Sequence, residues 1–109
     1  MSVEKGREAE DLAISFLQED GFVIKEKNLY ISHKEIDIVA LKDGVVHFVE
    51  VKSGSGFEPI FNITPSKLRH LTYAIESYMK KFKNTLPYQL DVLIIKDGNI
   101  EFIENVTAM

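Results

Sequence analysis

The sequence contains no cysteine and no tryptophan among its 109 residues. The absence of cysteine excludes a disulfide scaffold, a thiolate zinc site and a cysteine nucleophile. Glycine and proline are also scarce, at six and three residues, which excludes collagen-like and low-complexity proteins. The rest of the composition, 45% hydrophobic and 28% charged, is that of a globular chain. Stability must therefore come from an apolar core.

Long hydrophobic runs are absent as well. No apolar stretch approaches the roughly 18 residues of a membrane span, and residues 1–11 are too polar for a signal peptide. We therefore expect a cytoplasmic protein with no membrane contact. A chain of 109 residues is long enough for one core and too short for two, so we expect a single domain over residues 1–109.

An excess of basic residues is missing too. Lysine and arginine total 13 against 17 acidic residues, for a net charge of −4, which argues against coating nucleic acid by bulk electrostatics. The segment from Pro65 to Lys83 is the exception, with five basic residues and one acidic residue, Glu76. This basic strip is suited to a phosphate backbone. The alternative is the solvated outer face of a helix.

Helical periodicity appears twice. Apolar residues at positions 9, 12, 13, 16 and 17 predict a helix over 3–20, and Gly21 is suited to end it. Thr64 and Pro65 form a typical helix start, and apolar spacing predicts a second helix over 65–83. Lys67 and Arg69 lie in its first turns, where backbone amides also favour phosphate. They are the candidate nucleic-acid contacts.

Two Asp-Gly pairs, at 43–44 and 97–98, predict β-hairpins, because both central residues of a type I′ turn need positive φ. The predicted strands cover residues 22–25, 35–42, 45–53, 88–96 and 99–104. The element order is therefore helix, three strands, helix, two strands.

The first hairpin carries a cluster of charges. If Asp43 and Gly44 form a two-residue turn, counting outward places Asp37 opposite Glu50 and Glu35 opposite Lys52. Side chains two apart on a strand share a face. The register thus predicts two sets, a charged face with Glu35, Asp37, Glu50 and Lys52, and an apolar face with Ile36, Ile38, Val49 and Val51.

Such a charged face suggests metal chemistry. Like charges opposite each other across two strands are destabilising, and burial makes the conflict worse. A hard cation such as Mg²⁺ relieves it, because this ion binds through a few carboxylates and substrate phosphate oxygens. Lys52 would then orient an attacking water or neutralise charge developing on a phosphate. The alternative is a solvated face whose lysine and glutamate side chains pair across the strands.

These residues resemble a known family. Asp37 followed by Glu50-Val51-Lys52, in this element order, resembles the PD-(D/E)xK nuclease superfamily. A longer set resembles the YraN family of small bacterial proteins over nearly the whole chain: Gly6-Arg7, Ala9-Glu10-Asp11-Leu12-Ala13, Asn28, Glu35-Ile36-Asp37, Phe48-Val49-Glu50-Val51-Lys52, Lys67 and Asp91-Val92.

The resemblance implies a fold, a cofactor and a reaction. The fold is α/β (α+β), with a restriction-endonuclease-like αβββαβ core, a mixed five-stranded sheet and two packed helices. Asp37 and Glu50 would be metal ligands for Mg²⁺ or Mn²⁺. Glu10, a further acid from the first helix, would complete the metal site, and Lys52 would be the catalytic lysine. Glu10 also lies at the edge of the apolar stripe of its helix, from which it can reach the sheet.

The implied function is endonuclease-like or resolvase-like hydrolysis of nucleic acid, with DNA as the expected partner and a homodimer as a possible assembly. The alternative is a non-catalytic nuclease-fold module that binds DNA or a protein partner. Two positions depart from the family pattern. Lys34 replaces the usual glycine before Glu35, and Ser53-Gly54 replaces the usual Thr-Arg after Lys52, which removes one phosphate contact.

Overall fold

A computed structural model describes residues 3–31, 33–54 and 64–106. The elements are α1 (Val3–Glu19), β1 (Val23–Ile31), β2 (Lys34–Lys42), β3 (Val45–Gly54), α2 (Pro65–Lys81), β4 (Tyr88–Lys96) and β5 (Asn99–Ile103). In these ranges, neither helix has the length and apolar character needed to cross a bilayer.

The five strands form one mixed sheet in the order β1-β2-β3-β4-β5. Strands β3 and β4 are parallel, whereas the other neighbours are antiparallel. A parallel pair needs a crossover connection, and α2 lies in the segment that joins these two strands. The predicted mixed α+β fold, with five strands and two helices, is confirmed.

The helices pack on opposite faces of this sheet and make two cores. The α2-side core is built around Phe48, Ala74, Ile75, Tyr78, Met79 and Val92. The α1-side core is built around Ala13, Leu17, Phe22, Ile38, Val49 and Leu93. Because β2, β3 and β4 contribute apolar side chains to both cores, these central strands fix the positions of both helices relative to the sheet.

The helix boundaries agree with the local sequence signals. Gly21 follows α1 with φ of 91°, a conformation that glycine adopts at little cost. At the start of α2, the Thr64 side chain accepts a hydrogen bond from the Lys67 amide at 3.1 Å. Helix α2 ends at Lys81 rather than at residue 83, with Phe82 as its C-cap.

Strand β1 is longer than predicted, at Val23–Ile31 instead of 22–25. It is an edge strand, and its residues 25–28 are all charged or polar, so it lacks the apolar alternation that predicts a strand. Pairing with β2 extends it to Ile31, opposite Lys34.

The predicted register of the first hairpin is confirmed from Ile38–Val49 to Lys42–Val45. Asp43 and Gly44 have φ of 52° and 75°, as a type I′ turn requires. The ladder ends at the Ile38–Val49 pair. Asp37 and Glu50 lie just beyond it, where the two strands are no longer held together by the regular ladder.

The predicted division of side chains between the two faces is wrong near Asp37. Ile36 packs in the α2-side core, whereas Ile38 packs in the α1-side core, although residues two apart on a regular strand share a face. The alternation is therefore interrupted at Asp37. Across from it, Asn28 on β1 has φ of 53°, a left-handed conformation that asparagine tolerates better than most residues.

Candidate metal centre

Three carboxylates, one from α1 and two from the first half of β2, lie close together. Glu10 comes from α1, and Glu35 and Asp37 come from β2; one carboxylate oxygen of each lies within 4.8 Å of the others. All three residues are half-buried. The structure thus brings two of the predicted ligands, Glu10 and Asp37, to one place, with Glu35 as the third member of this group instead of Glu50.

Asp37 is held by the backbone of the neighbouring strand. Its Oδ2 accepts a hydrogen bond from the Val51 amide at 2.8 Å. Burial raises the pKa of Asp37 to about 6, helped by the negative charges of Glu10 and Glu35, while the Val51 amide and Lys52 oppose the rise. The interrupted strand therefore places this carboxylate between β2 and β3 rather than out on one face.

Glu50 lies next to Asp37 on the α2 side. Burial and the nearby charge of Asp37 raise the pKa of Glu50 to about 8, and Lys52 and the Asp37 amide oppose the rise. Its Oε1 is buried and, among the described residues, has no hydrogen-bond partner. An unpartnered buried carboxylate oxygen is costly unless a proton or a cation accompanies it.

This donor set fits a hard divalent cation. Mg²⁺ and Mn²⁺ favour carboxylate oxygens and water, and three other acids, from α1, β2 and β3, lie around Asp37. The predicted single charged face is corrected here. Glu35 and Asp37 group with Glu10 of α1, whereas Glu50 and Lys52 line a cavity against α2. The site thus spans the open end of the hairpin instead of one of its faces.

The cavity on the α2 side has a volume of about 190 Å³ and is lined by Lys34, Glu50, Lys52, Lys67, His70 and Leu71. Helix α2 begins after the Thr64 cap, and its first turn brings Lys67 into the lining of the cavity that also contains Glu50 and Lys52. Arg69, the other predicted nucleic-acid contact, is exposed and is not among these lining residues. The structure therefore brings one of the two predicted contacts to the candidate site.

Tyr30 is a neighbour of the acidic group that the sequence did not indicate. Its hydroxyl donates to Glu35 Oε2 at 2.9 Å, while its side chain remains exposed. This hydrogen bond raises the pKa of Tyr30. The contact depends on the Tyr30–Glu35 pairing of β1 with β2, so it could have been found only by extending β1 beyond residue 25.

A second polar group lies in the α1-side layer. His47 Nδ1 and Asp91 Oδ2 are 2.6 Å apart, and both side chains are buried. Asp91 Oδ1 also accepts hydrogen bonds from Gln89 Nε2 and the Asn105 amide, each at 2.8 Å. Because the Asp91 carboxylate has three donors around it, this group ties β3, β4 and the segment after β5 together.

Fold and site together define a small α+β protein with carboxylates from a helix and two strands gathered beside a lysine. Comparison with known proteins then gives the family. The chain belongs to the family described as Uncharacterised protein family UPF0102, which matches it over residues 9–95.

Three members of that family are similar to this chain over nearly their full length. The chain is 58% identical over 106 residues to a UPF0102 protein of Helicobacter hepaticus, covering 97% of this chain and 96% of the relative. It is 50% identical over 107 residues to one of Wolinella succinogenes, covering 98% and 99%. For one of Sulfurovum sp. the values are 49% over 105 residues, 94% and 92%.

Proposed function

We propose that this protein is a metal-dependent phosphodiesterase that cuts nucleic acid, as the PD-(D/E)xK resemblance implies. The observation that carries the proposal is the placement of Asp37. Its carboxylate lies within reach of Glu10 and Glu35 on one side and influences the pKa of Glu50 on the other. Such a gathering of acids is unfavourable for folding, and a divalent cation offsets it.

Glu10, Asp37 and Glu50 would hold the cation, with Glu35 as an additional carboxylate that the geometry brings in. When bound, Mg²⁺ or Mn²⁺ supplies charge stabilisation for the phosphate oxygens in the transition state. The protein fixes the acids before any cation arrives. The Val51 amide orients Asp37, and the Tyr30 hydroxyl orients Glu35.

Lys52 supplies the positive charge next to these acids. It follows Glu50 by two residues on β3 and lines the same cavity. A lysine at this place neutralises charge that develops on the scissile phosphate, or holds the attacking water by a hydrogen bond.

The substrate we propose is DNA in the cytoplasm. Lys67 lies in the cavity lining next to Lys52, and Arg69 extends the positive charge along the exposed part of the same helix. Both side chains would contact the DNA at its phosphates. They would therefore position the substrate without reading its base sequence.

A cleavage assay tests this function. Purified protein is incubated with linear duplex, nicked, branched and single-stranded DNA, and with RNA, in the presence of Mg²⁺ or Mn²⁺. We expect cutting of at least one substrate, its loss when the cation is chelated, and its loss in Asp37→Asn. The Glu19→Gln variant is the matched control, because Glu19 is an exposed acid at the far end of α1.

If the wild type cuts none of these substrates with either cation, the hydrolase proposal is abandoned. Binding of the same substrates without cleavage would identify a nuclease-fold binding module. Cleavage that survives both chelation and Asp37→Asn would indicate a contaminating nuclease.

A further inference from the structure

The cavity between β2, β3 and α2 is lined by more basic side chains than Lys52 alone. Lys34 precedes the acidic part of β2, and His70 lies in the second turn of α2; both line this cavity with Lys52 and Lys67. Glu50 is the one acid among the described lining residues. The cavity is therefore built to hold an anion.

The size of the cavity limits the anion. A volume of about 190 Å³ is below the range of roughly 300–1,000 Å³ typical of sites for drug-sized ligands, yet it is several times the roughly 30 Å³ that a water molecule takes up in the liquid. A tetrahedral oxyanion with one or two ordered waters matches this space. Leu71 contributes an apolar portion of the lining.

The chemistry of the lining favours phosphate. Lysine binds phosphate as a mobile point charge, and a histidine ring adds a directional N–H donor. Lys34 and His70 come from different elements, and both are exposed, so they approach an anion in the cavity from two directions. Glu50 and Lys52 adjoin the acidic group, so an anion in the cavity is a neighbour of the candidate metal centre.

We propose that this cavity is a phosphate pocket, in which Lys34 and His70 act with Lys52 and Lys67 to bind one phosphate of a nucleic-acid strand. The identity of the strand rests on the proposed function, whereas the binding of phosphate rests on the cavity alone. Lys34 is the distinguishing residue, because it lines the cavity but is not one of the proposed metal ligands or the proposed catalytic lysine.

Titration with inorganic phosphate tests the pocket without any metal or cleavage. Isotope-labelled wild-type protein is titrated in the presence of a chelator, with sodium chloride at matched ionic strength as the reference anion. We expect saturable shifts of the Lys34, Lys52 and His70 amide signals with phosphate and not with chloride.

Lys34→Gln and His70→Gln should each weaken phosphate binding by about tenfold, the effect of losing one hydrogen bond to a charged group. Lys25→Gln is the matched control, since it removes one exposed lysine from β1 and should leave the affinity unchanged. Both tested side chains are exposed, so these variants should fold, which circular dichroism checks.

Oligonucleotides separate the two sources of phosphate. Single strands carrying a 5′-phosphate, a 3′-phosphate or no terminal phosphate are compared in chelator by fluorescence anisotropy. If one terminal phosphate strengthens binding and Lys34→Gln removes that gain, the pocket takes a strand end. If all three bind alike and Lys34→Gln weakens all three, it takes a backbone phosphate.

The pocket is overturned if phosphate gives no saturable shift, if chloride produces the same shifts, or if Lys34→Gln and His70→Gln bind phosphate as the wild type does. Phosphate binding without cleavage of any substrate would overturn the proposed function and leave the pocket standing. Cleavage without phosphate binding would overturn the pocket and leave the proposed function standing.

Discussion

Asp37 Oδ2 accepts a hydrogen bond from the Val51 amide at 2.8 Å, just beyond the point where the ladder between β2 and β3 ends. A backbone donor thus holds a carboxylate in the gap between two strands. From this position one side chain faces acids on the α1 side and the glutamate on the α2 side. The local break in the strand is what makes a single site out of residues from both layers.

Metal binding should depend on Asp37. The Asp37→Asn variant keeps a hydrogen-bond acceptor for the Val51 amide but lacks the charge, so we expect the affinity for Mg²⁺ or Mn²⁺ to fall by about tenfold or more. Isothermal titration calorimetry measures this directly. Glu19→Gln should bind the ion as the wild type does, and an unchanged affinity in Asp37→Asn would show that the acids are ordinary surface charge.

Stability without metal should fall as the pH rises. Burial raises the pKa of Asp37 to about 6 and that of Glu50 to about 8, so between pH 4 and these values the folded protein holds protons that the unfolded chain has released. The free energy of unfolding therefore decreases with increasing pH in this range. One unit of pKa difference corresponds to about 1.4 kcal/mol, and we expect a loss of at least about 1 kcal/mol between pH 5 and pH 8.

Urea denaturation in chelator, followed by circular dichroism, measures this pH dependence. The double variant Asp37→Asn/Glu50→Gln should show a flatter profile, because it cannot lose these protons. Adding Mg²⁺ at pH 8 should restore stability to the wild type, since a ligand that binds the folded state stabilises it. A wild-type profile with the same pH dependence as that of the double variant would contradict the prediction.

Much of this site could be predicted from the sequence, and the limits are physical. The turn at Asp43 and Gly44 fixes the register of β2 and β3, so it brings Asp37 close to Glu50 without any tertiary information. The break at Asp37 is not visible in the sequence, because Ile36, Ile38 and Val39 are equally apolar on either face of the sheet. Strand alternation therefore predicted one charged face where the structure has two.

Contacts between residues that lie far apart in the chain could not be predicted from the sequence either. His47 and Asp91 are 44 residues apart, and no local pattern connects a histidine in β3 with an aspartate in β4. Their contact needs the parallel pairing of these strands, in which Val49 lies opposite Asp91. The position of Glu10 could be predicted, because helical spacing places this residue at the edge of the apolar stripe of α1.

Removal of the buried Asp91 carboxylate should destabilise the protein. Asp91→Ala leaves His47, Gln89 and the Asn105 amide without their hydrogen-bond partner, and a buried polar group left unsatisfied costs about 1–3 kcal/mol. Chemical denaturation gives the value. Glu104→Gln, at an exposed acid nearby, should change stability by less than about 0.5 kcal/mol. A comparably small effect of Asp91→Ala would show that the group has no structural role.

The two predicted nucleic-acid contacts should differ in how they affect binding. Each lysine or arginine that neutralises a phosphate contributes about −0.9 to the slope of log K against log salt on B-DNA. The double variant Lys67→Ala/Arg69→Ala should therefore bind more weakly and show a slope shallower by up to about 2. Lys67→Ala should account for the larger loss of affinity, because Lys67 lines the cavity and Arg69 does not.

Fluorescence anisotropy with labelled duplex over a series of salt concentrations gives both the affinity and the slope. Lys25→Ala removes an exposed lysine on β1 and is the control for charge alone. A slope equal to that of the wild type in the double variant would place both residues away from the bound strand.

Lys52 should separate catalysis from binding. In the proposed function its charge acts on the phosphate that is cut, so Lys52→Ala should lower the cleavage rate by about 10² to 10³-fold, the usual loss when one stabilising group is removed from a transition state. Affinity for the strand should fall far less, because Lys34, Lys67 and His70 still line the cavity. Single-turnover cleavage and anisotropy on the same substrate measure the two quantities. Equal losses of rate and affinity would mean that Lys52 only helps to bind the strand, since an interaction needed mainly in the transition state must lower the rate more than the affinity.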